Sequence, residues 1–241
     1  MPDNYKIPEP NAFEPPDSLK LDVSSVNRVN FASAQNDVTV LKFVVLRNEG
    51  DVPVHDLRVH LTASPAILRE RTWTIDRIAP GAECPLSDLA TPLDLSRLSG
   101  LNEAETGELA LEVEAGGESL VKQRHRIELL ARDEWGGVGD MAHLLAAFVS
   151  PNDPVVAQLL KEASRLLERS GEDGSLDGYQ TANPGRVWML AGAIWSAATA
   201  MGLAYAVPPA SFEHEGQKIR GPERIASEGL ATCLDTSLLL A

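Results

Sequence analysis

The spacing of apolar residues changes partway along the chain, and that change limits the folds open to it more than any other feature. In the stretch HDLRVHLTA, Leu57, Val59 and Leu61 alternate with Arg58, His60 and Thr62, a period of two. In TGELALEVEAGGESLVKQRHRIELLAR, Leu109, Leu111 and Val113 alternate with Glu108, Ala110, Glu112 and Glu114, and Gly116-Gly117 then supplies a hairpin turn. A period of two puts one side of a strand in a core and the other in water. From Asp153 the spacing is helical. Val155, Val156, Leu159, Leu160, Ala163, Leu166 and Leu167 follow an Asp153-Pro154 start and precede Gly171. Val187, Leu190, Ala191, Ile194, Trp195, Ala198 and Met201 follow Asn183-Pro184 and precede Gly202. One chain therefore carries a strand-rich part and a helix-rich part.

The strand-rich part holds about seven short strands, among them LDVSSVNRVNF, DVTVLKFVVLRNEG and RTWTIDRIAPGAEC, with turn signals every 8–12 residues. That pattern predicts an antiparallel sandwich of immunoglobulin-like architecture over 19–132, preceded by a Pro- and Asp-rich flexible arm over 1–18. DEWGGVGD marks a junction over 133–140. A mostly helical part fills 141–241, opening with a short helix in MAHLLAAFV. The fold class expected is α+β in two domains. Trp135 at the junction reads as a plug between them, since a Trp buries a large area. Trp188 and Trp195, seven apart on one helix face, read as core, and their helix as a central one packed on two sides.

Charge and composition exclude several functions. The net charge is −14, and 14 acidic against 7 basic residues from Asp133 onward carry half of it. Neither a basic stripe nor a phosphate-binding glycine loop is present, so direct nucleic-acid binding is not expected. No apolar run reaches the roughly 18 residues of a membrane span, and the N-terminus lacks a signal pattern, so the expected setting is the cytoplasm. Two distant cysteines, Cys84 and Cys233, do not make a disulfide framework. Neither Cys-x-x-Cys nor His-Glu-x-x-His occurs, so no metal or other cofactor is expected in this stretch of chain.

One motif carries candidate chemistry. Thr232-Cys233-Leu234-Asp235 matches a capping box, which makes Cys233 the first residue of a helix. Two readings follow. The positive end of a helix dipole favours thiolate, as a nucleophilic cysteine requires. Alternatively, Cys233 is a small buried apolar residue, with Leu234, Leu238 and Ala241 facing the core. A nucleophile also needs a base, and nothing in the spacing of His55, His60, His125, His143 or His214 brings one to Cys233.

RDEWGG after a strand-rich part, followed by RGPERIASEGLATCLDTSLLLA, resembles the N-terminal part of large bacterial helicase-related proteins. Arg220, Pro222, Ile225 and the residues 232–235 are the most specific part of the likeness. The resemblance implies an immunoglobulin-like sandwich followed by a transglutaminase-like segment. It places the ATP- and Mg-dependent motor outside this stretch, and Cys233 at a nucleophile-like position. The His and acidic partners of that family come from strands after the helix, which this sequence does not contain. The ending in TSLLLA reads as a piece of something larger. Its terminal helix is expected to leave Leu234, Leu238, Leu239, Leu240 and Ala241 incompletely covered, inviting self-association through that helix. The expected role is a non-catalytic interaction or scaffolding module contacting other domains of the same protein. The alternative is part of a cysteine-dependent transglutaminase- or protease-like enzyme.

Overall fold

The computed structural model describes residues 18–139, 141–178, 180 and 182–241. Apart from Ser18, the arm expected over 1–18 lies outside the described residues. The fold is mixed α and β, and its two larger sheets are built mainly from antiparallel pairs. Contacts divide the chain into two compact units. The first takes residues up to Asn27, Val38–Asp94 and Thr106–Ile127. The second takes Arg28–Asp37, Leu95–Glu105 and Glu128–Ala241.

In the first unit, β1 (Leu19–Ser25), β3 (Leu41–Asn48) and β6 (Glu83–Pro85) form a three-stranded sheet with β3 in the middle. A second, five-stranded sheet runs through β5 (Arg71–Ile78), β4 (Val54–Ser64), β7 (Glu105–Ala115) and β8 (Glu118–Leu129), and ends in β2 (Arg28–Val29), which pairs parallel with the end of β8. The period-two reading holds residue by residue. Leu57, Val59 and Leu61 of β4 pair with Ala115, Val113 and Leu111 of β7, and of these six only Ala115 is more than 1% exposed. Leu19 and Leu21 of β1 and Val44 and Leu46 of β3 are buried likewise. Each such leucine or valine contributes roughly 1.5–3 kcal/mol by leaving water. The β7–β8 hairpin turns at Gly116 and Gly117, with φ of 60° and 88°. Two consecutive positive φ values make a type I′ turn, which matches strand twist and is costly for residues with a Cβ. The one helix within 38–130 is α2 (Leu95–Ser99), five residues long.

The second unit is built around two long helices. In α3 (Pro154–Arg169) the Asp153 carboxylate accepts from the Val155 N–H at 2.8 Å, and Pro154 takes the first position. In α4 (Pro184–Ala200) the Asn183 side chain accepts from Gly185 and Arg186, again ahead of a Pro. These caps satisfy N–H groups the helix itself cannot use. Leu159, Ala163 and Leu167, four apart, meet Leu190, Ala193, Ala197 and Ala198. The alanines let the two helices approach closely. MAHLLAAFV forms a 3-10 helix, Ala142–Phe148, not an α-helix.

The structure corrects the expectation for α4. Trp188 is 80% exposed and Trp195 60% exposed, so neither is core. Among the described residues α4 packs on one side: its inward stripe is Leu190, Ala193, Ala197 and Ala198, and the tryptophans lie outside it. Trp135 is buried, and its indole N–H donates to the Met141 carbonyl at 2.9 Å. None of the described helices is long and apolar enough to cross a membrane.

Candidate functional site

Cys233 is placed by a short parallel pair of strands. α6 (Pro222–Glu228) ends at Gly229, whose φ of 63° lets the chain turn back. The next two residues, Leu230–Ala231, form β12 and run parallel to β10 (Ala204–Tyr205), with Tyr205 opposite Ala231. Thr232 then caps α7 (Cys233–Leu240), and the capping box is complete. The Asp235 N–H donates to Thr232 Oγ1 at 3.1 Å, and the Thr232 N–H donates to Asp235 Oδ2 at 2.8 Å. Cys233 is therefore the first residue of a capped helix, as the sequence predicts.

Its burial differs from the packing reading. Cys233 is exposed, and the residues that α7 turns fully inward are Asp235 and Leu239, one helical turn apart. Leu234, Leu238 and Leu240 are half-buried, and of the apolar residues expected to lack cover Ala241 is the exposed one. Leu239 joins Ile225 and Ala231 in a small core. Asp235 is fully buried because its carboxylate is occupied on both oxygens. Beyond Thr232, the backbone N–H of Arg220 donates to Oδ1 at 2.9 Å and the Arg220 guanidinium to Oδ2 at 3.2 Å. Gln217 completes the support, its amide N–H donating to Thr232 Oγ1 at 3.2 Å. Gln217 lies on β11 (Gln217–Lys218), paired antiparallel with β9 (Glu134–Trp135), so two strands and a loop hold the start of α7.

The thiol itself meets a phenol. Cys233 Sγ and the Tyr205 hydroxyl lie 3.9 Å apart. The hydrogen bond to the sulfur, and then its charge, hold the Tyr205 phenol above the ordinary tyrosine value. Among the described residues no imidazole is bonded to the thiol. His60 lies on β4, with its ring nitrogens 2.9 Å from Thr72 Oγ1 and 3.2 Å from Glu114 Oε2. His55 and His125 are on β4 and β8, His143 on the 3-10 helix and His214 on α5 (Phe212–Glu215). No group of three or more His, Cys, Asp or Glu side chains suited to a metal ion occurs among the described residues. The arrangement can expose a thiol at a helix start and hold it beside a hydroxyl; base catalysis of its attack needs a group from elsewhere.

A second candidate surface is the outer side of α4. Besides the two tryptophans it exposes Val187, Met189, Ala191, Gly192, Ser196, Thr199 and Ala200. The helix has one charged residue, Arg186, and that side chain is buried, donating to the carbonyls of Asp173 and Ser175. Spacing alone hides this surface, because an i, i+7 pair of tryptophans marks one face of a helix without saying which face is covered. Tyr205 was equally hidden: nothing in GLAYAV ties it to a cysteine 28 positions on. No protein-family model matches the chain, and no match is found among curated proteins.

Proposed function

We propose that this chain is a non-catalytic interaction and scaffolding module, the N-terminal part of a bacterial, helicase-related multidomain protein of the cytoplasm. In this reading an immunoglobulin-like sandwich precedes a transglutaminase-like segment. ATP and Mg belong to a motor outside residues 1–241, and the module touches protein rather than nucleic acid. One observation carries the contact role: α4 turns two tryptophans to solvent on a helix that exposes no ionisable side chain. Large contiguous apolar patches on soluble proteins mark contact surfaces, and Trp is enriched among the residues that dominate binding energy. The net charge of −14 supports a protein partner over a phosphate backbone.

The test is a photo-activatable cross-linker at position 188, activated in cells. Coupling to protein is expected; recovery of the uncoupled chain alone overturns the contact role. The helicase relation is tested separately, by searching the gene beyond codon 241 for helicase motifs.

A second reading keeps one supporting observation. Cys233 is exposed at the first position of a capped helix, where an attacking thiolate would stand. In that reading the chain is part of a cysteine-dependent acyl-transfer enzyme, and the histidine and acidic partners come from chain after residue 241.

A further inference from the structure

We infer that the partner of the exposed α4 face is a second copy of this chain, paired about a twofold axis that passes beside Ala191 and Gly192. The inference rests on the contact-module reading above and names the occupant of its surface.

Three observations converge on self-pairing. The first is the order of residues. On the exposed face between residues 188 and 195, Trp188 and Trp195 stand at the two ends and the small residues Ala191 and Gly192 in the centre. A twofold interface brings a surface onto itself, so a face symmetric about its own centre is self-complementary. Two such helices laid antiparallel put Trp188 of one near Trp195 of the other, with Ala191 and Gly192 at the crossing. A Cβ built on Gly192 meets nothing within 4 Å among the described residues, so the crossing point is open there.

The second is a hole to match the knob. A groove of about 470 Å3 runs beside the same face, lined by Leu166 and Leu167 of α3, Met189, Gly192 and Ser196 of α4, and the exposed Glu172. It includes Gly192, at the centre of the exposed face, and a twofold mate's tryptophan is the knob it is proposed to take. Knob and hole therefore sit on one chain, as an isologous pair requires.

The third is charge. The chain carries −14, so a partner chosen by charge would be basic and would need acidic groups on the contact face. The exposed positions of α4 offer none, because Arg186 is turned inward. An uncharged surface is the match for this helix face, and α4 of a second copy is such a surface; Glu172, in the adjoining groove, adds to the like-charge repulsion between copies. Long-range repulsion between two chains of like charge then opposes pairing and is screened by salt. The two tryptophans supply on the order of a third to a half of the roughly 800 Å2 per partner that a standard interface buries. Val187, Met189, Thr199 and the groove wall are the adjoining surface from which the rest comes.

The experiment is analytical ultracentrifugation of the full chain across protein concentration and from low to high sodium chloride. It includes two variants, Trp195→Ser and Gly192→Glu, each checked for folding by circular dichroism and melting. Both positions are exposed, and Gly192→Glu adds a side chain where nothing stands in the way. The expected result is a reversible dimer that strengthens as salt rises. Trp195→Ser should weaken it about tenfold or more, and Gly192→Glu should abolish it while the chain stays folded. A monomer at every concentration and salt overturns the inference, as does a dimer that both variants leave unchanged or that salt weakens. If the chain is monomeric yet the cross-linker at position 188 couples to a different protein, self-pairing fails while the contact-module reading stands.

Discussion

Arg220 and Asp235 meet through two contacts, the Arg220 backbone N–H on one carboxylate oxygen at 2.9 Å and its guanidinium on the other at 3.2 Å, with Asp235 wholly removed from water. The same carboxylate closes the capping box on Thr232. One buried side chain therefore fixes the start of α7 and the loop that follows β11. Removing the carboxylate leaves the backbone N–H groups of Thr232 and Arg220 without their acceptor, at a cost of about 1–3 kcal/mol, while the Arg220 guanidinium keeps Glu228. Asp235→Ala is expected to lower stability by that amount in urea unfolding. Asp235→Asn, which keeps one acceptor, is expected to fall between. Equal stability of the alanine variant and the native chain would show that the pair does not hold this corner.

Two glycines offer an opposed pair of tests. Gly216 has a φ of 90°, and a Cβ there would stand 1.8 Å from the Trp135 carbonyl oxygen. Both the backbone conformation and the packing against β9 forbid a side chain. Gly216→Ala is expected to cost about 2–4 kcal/mol. Gly192 lies inside α4 with open space where its Cβ would be. Gly192→Ala is expected to stabilise the chain by about 0.5–1 kcal/mol, since alanine restricts the unfolded backbone and favours helix. Thermal or denaturant melts of the two variants should move in opposite directions.

These two glycines also show what the sequence reveals and what it withholds. Local signals were legible. Asp153-Pro154, Asn183-Pro184 and Thr232-x-x-Asp235 all cap helices where the residue types require, because a cap is decided within four residues. The alternation in β4 and β7 was legible because one side of each strand is wholly buried. Long-range relations were not. The inward face of α7 holds an aspartate, and only Arg220, fifteen residues earlier, makes that burial tolerable. Leu234 and Leu238 look like the core stripe until that partner is known. Arg28–Asp37 and Leu95–Glu105 join the helical unit; each carries a five-residue helix, α1 (Phe31–Gln35), capped by Asn30, and α2, that a strand reading of 19–132 passes over. Gly216 looks like any loop glycine, because its reason is the carbonyl of Trp135, far back along the chain.

A surface cluster gives a pH prediction with a definite sign. The guanidinium of Arg224, 2.6 Å from Glu228, and then that of Arg220, hold the Glu228 carboxyl below the ordinary glutamate value. A carboxyl whose folded pKa is depressed contributes stability above its unfolded value, and that contribution is lost as pH falls through the folded one. Glu228→Gln should therefore melt below the native chain at neutral pH. The gap should close as pH falls below about 4. The pair is solvent-exposed, so the gap should also narrow in high salt. A gap that widens toward acid would contradict the assignment.

The Cys233–Tyr205 pair can be read from either partner. Cys233 is exposed and Cys84 only half-exposed, so an alkylating reagent should modify Cys233 first, with Cys84→Ser as the control. Ionised sulfur accepts the phenol hydrogen and repels a second negative charge nearby. The phenol of Tyr205 should therefore ionise at a higher pH than free tyrosine, and Cys233→Ser should remove most of that shift. Ultraviolet titration of phenolate absorbance, with Tyr205→Phe to identify the signal, measures it. The same variants decide between the two readings of the thiol. If the thiol lacks a base in this chain, its alkylation rate should be unchanged by substitution of each of the five histidines. A large fall in that rate on replacing one histidine would identify a base within residues 1–241 and favour the enzyme reading.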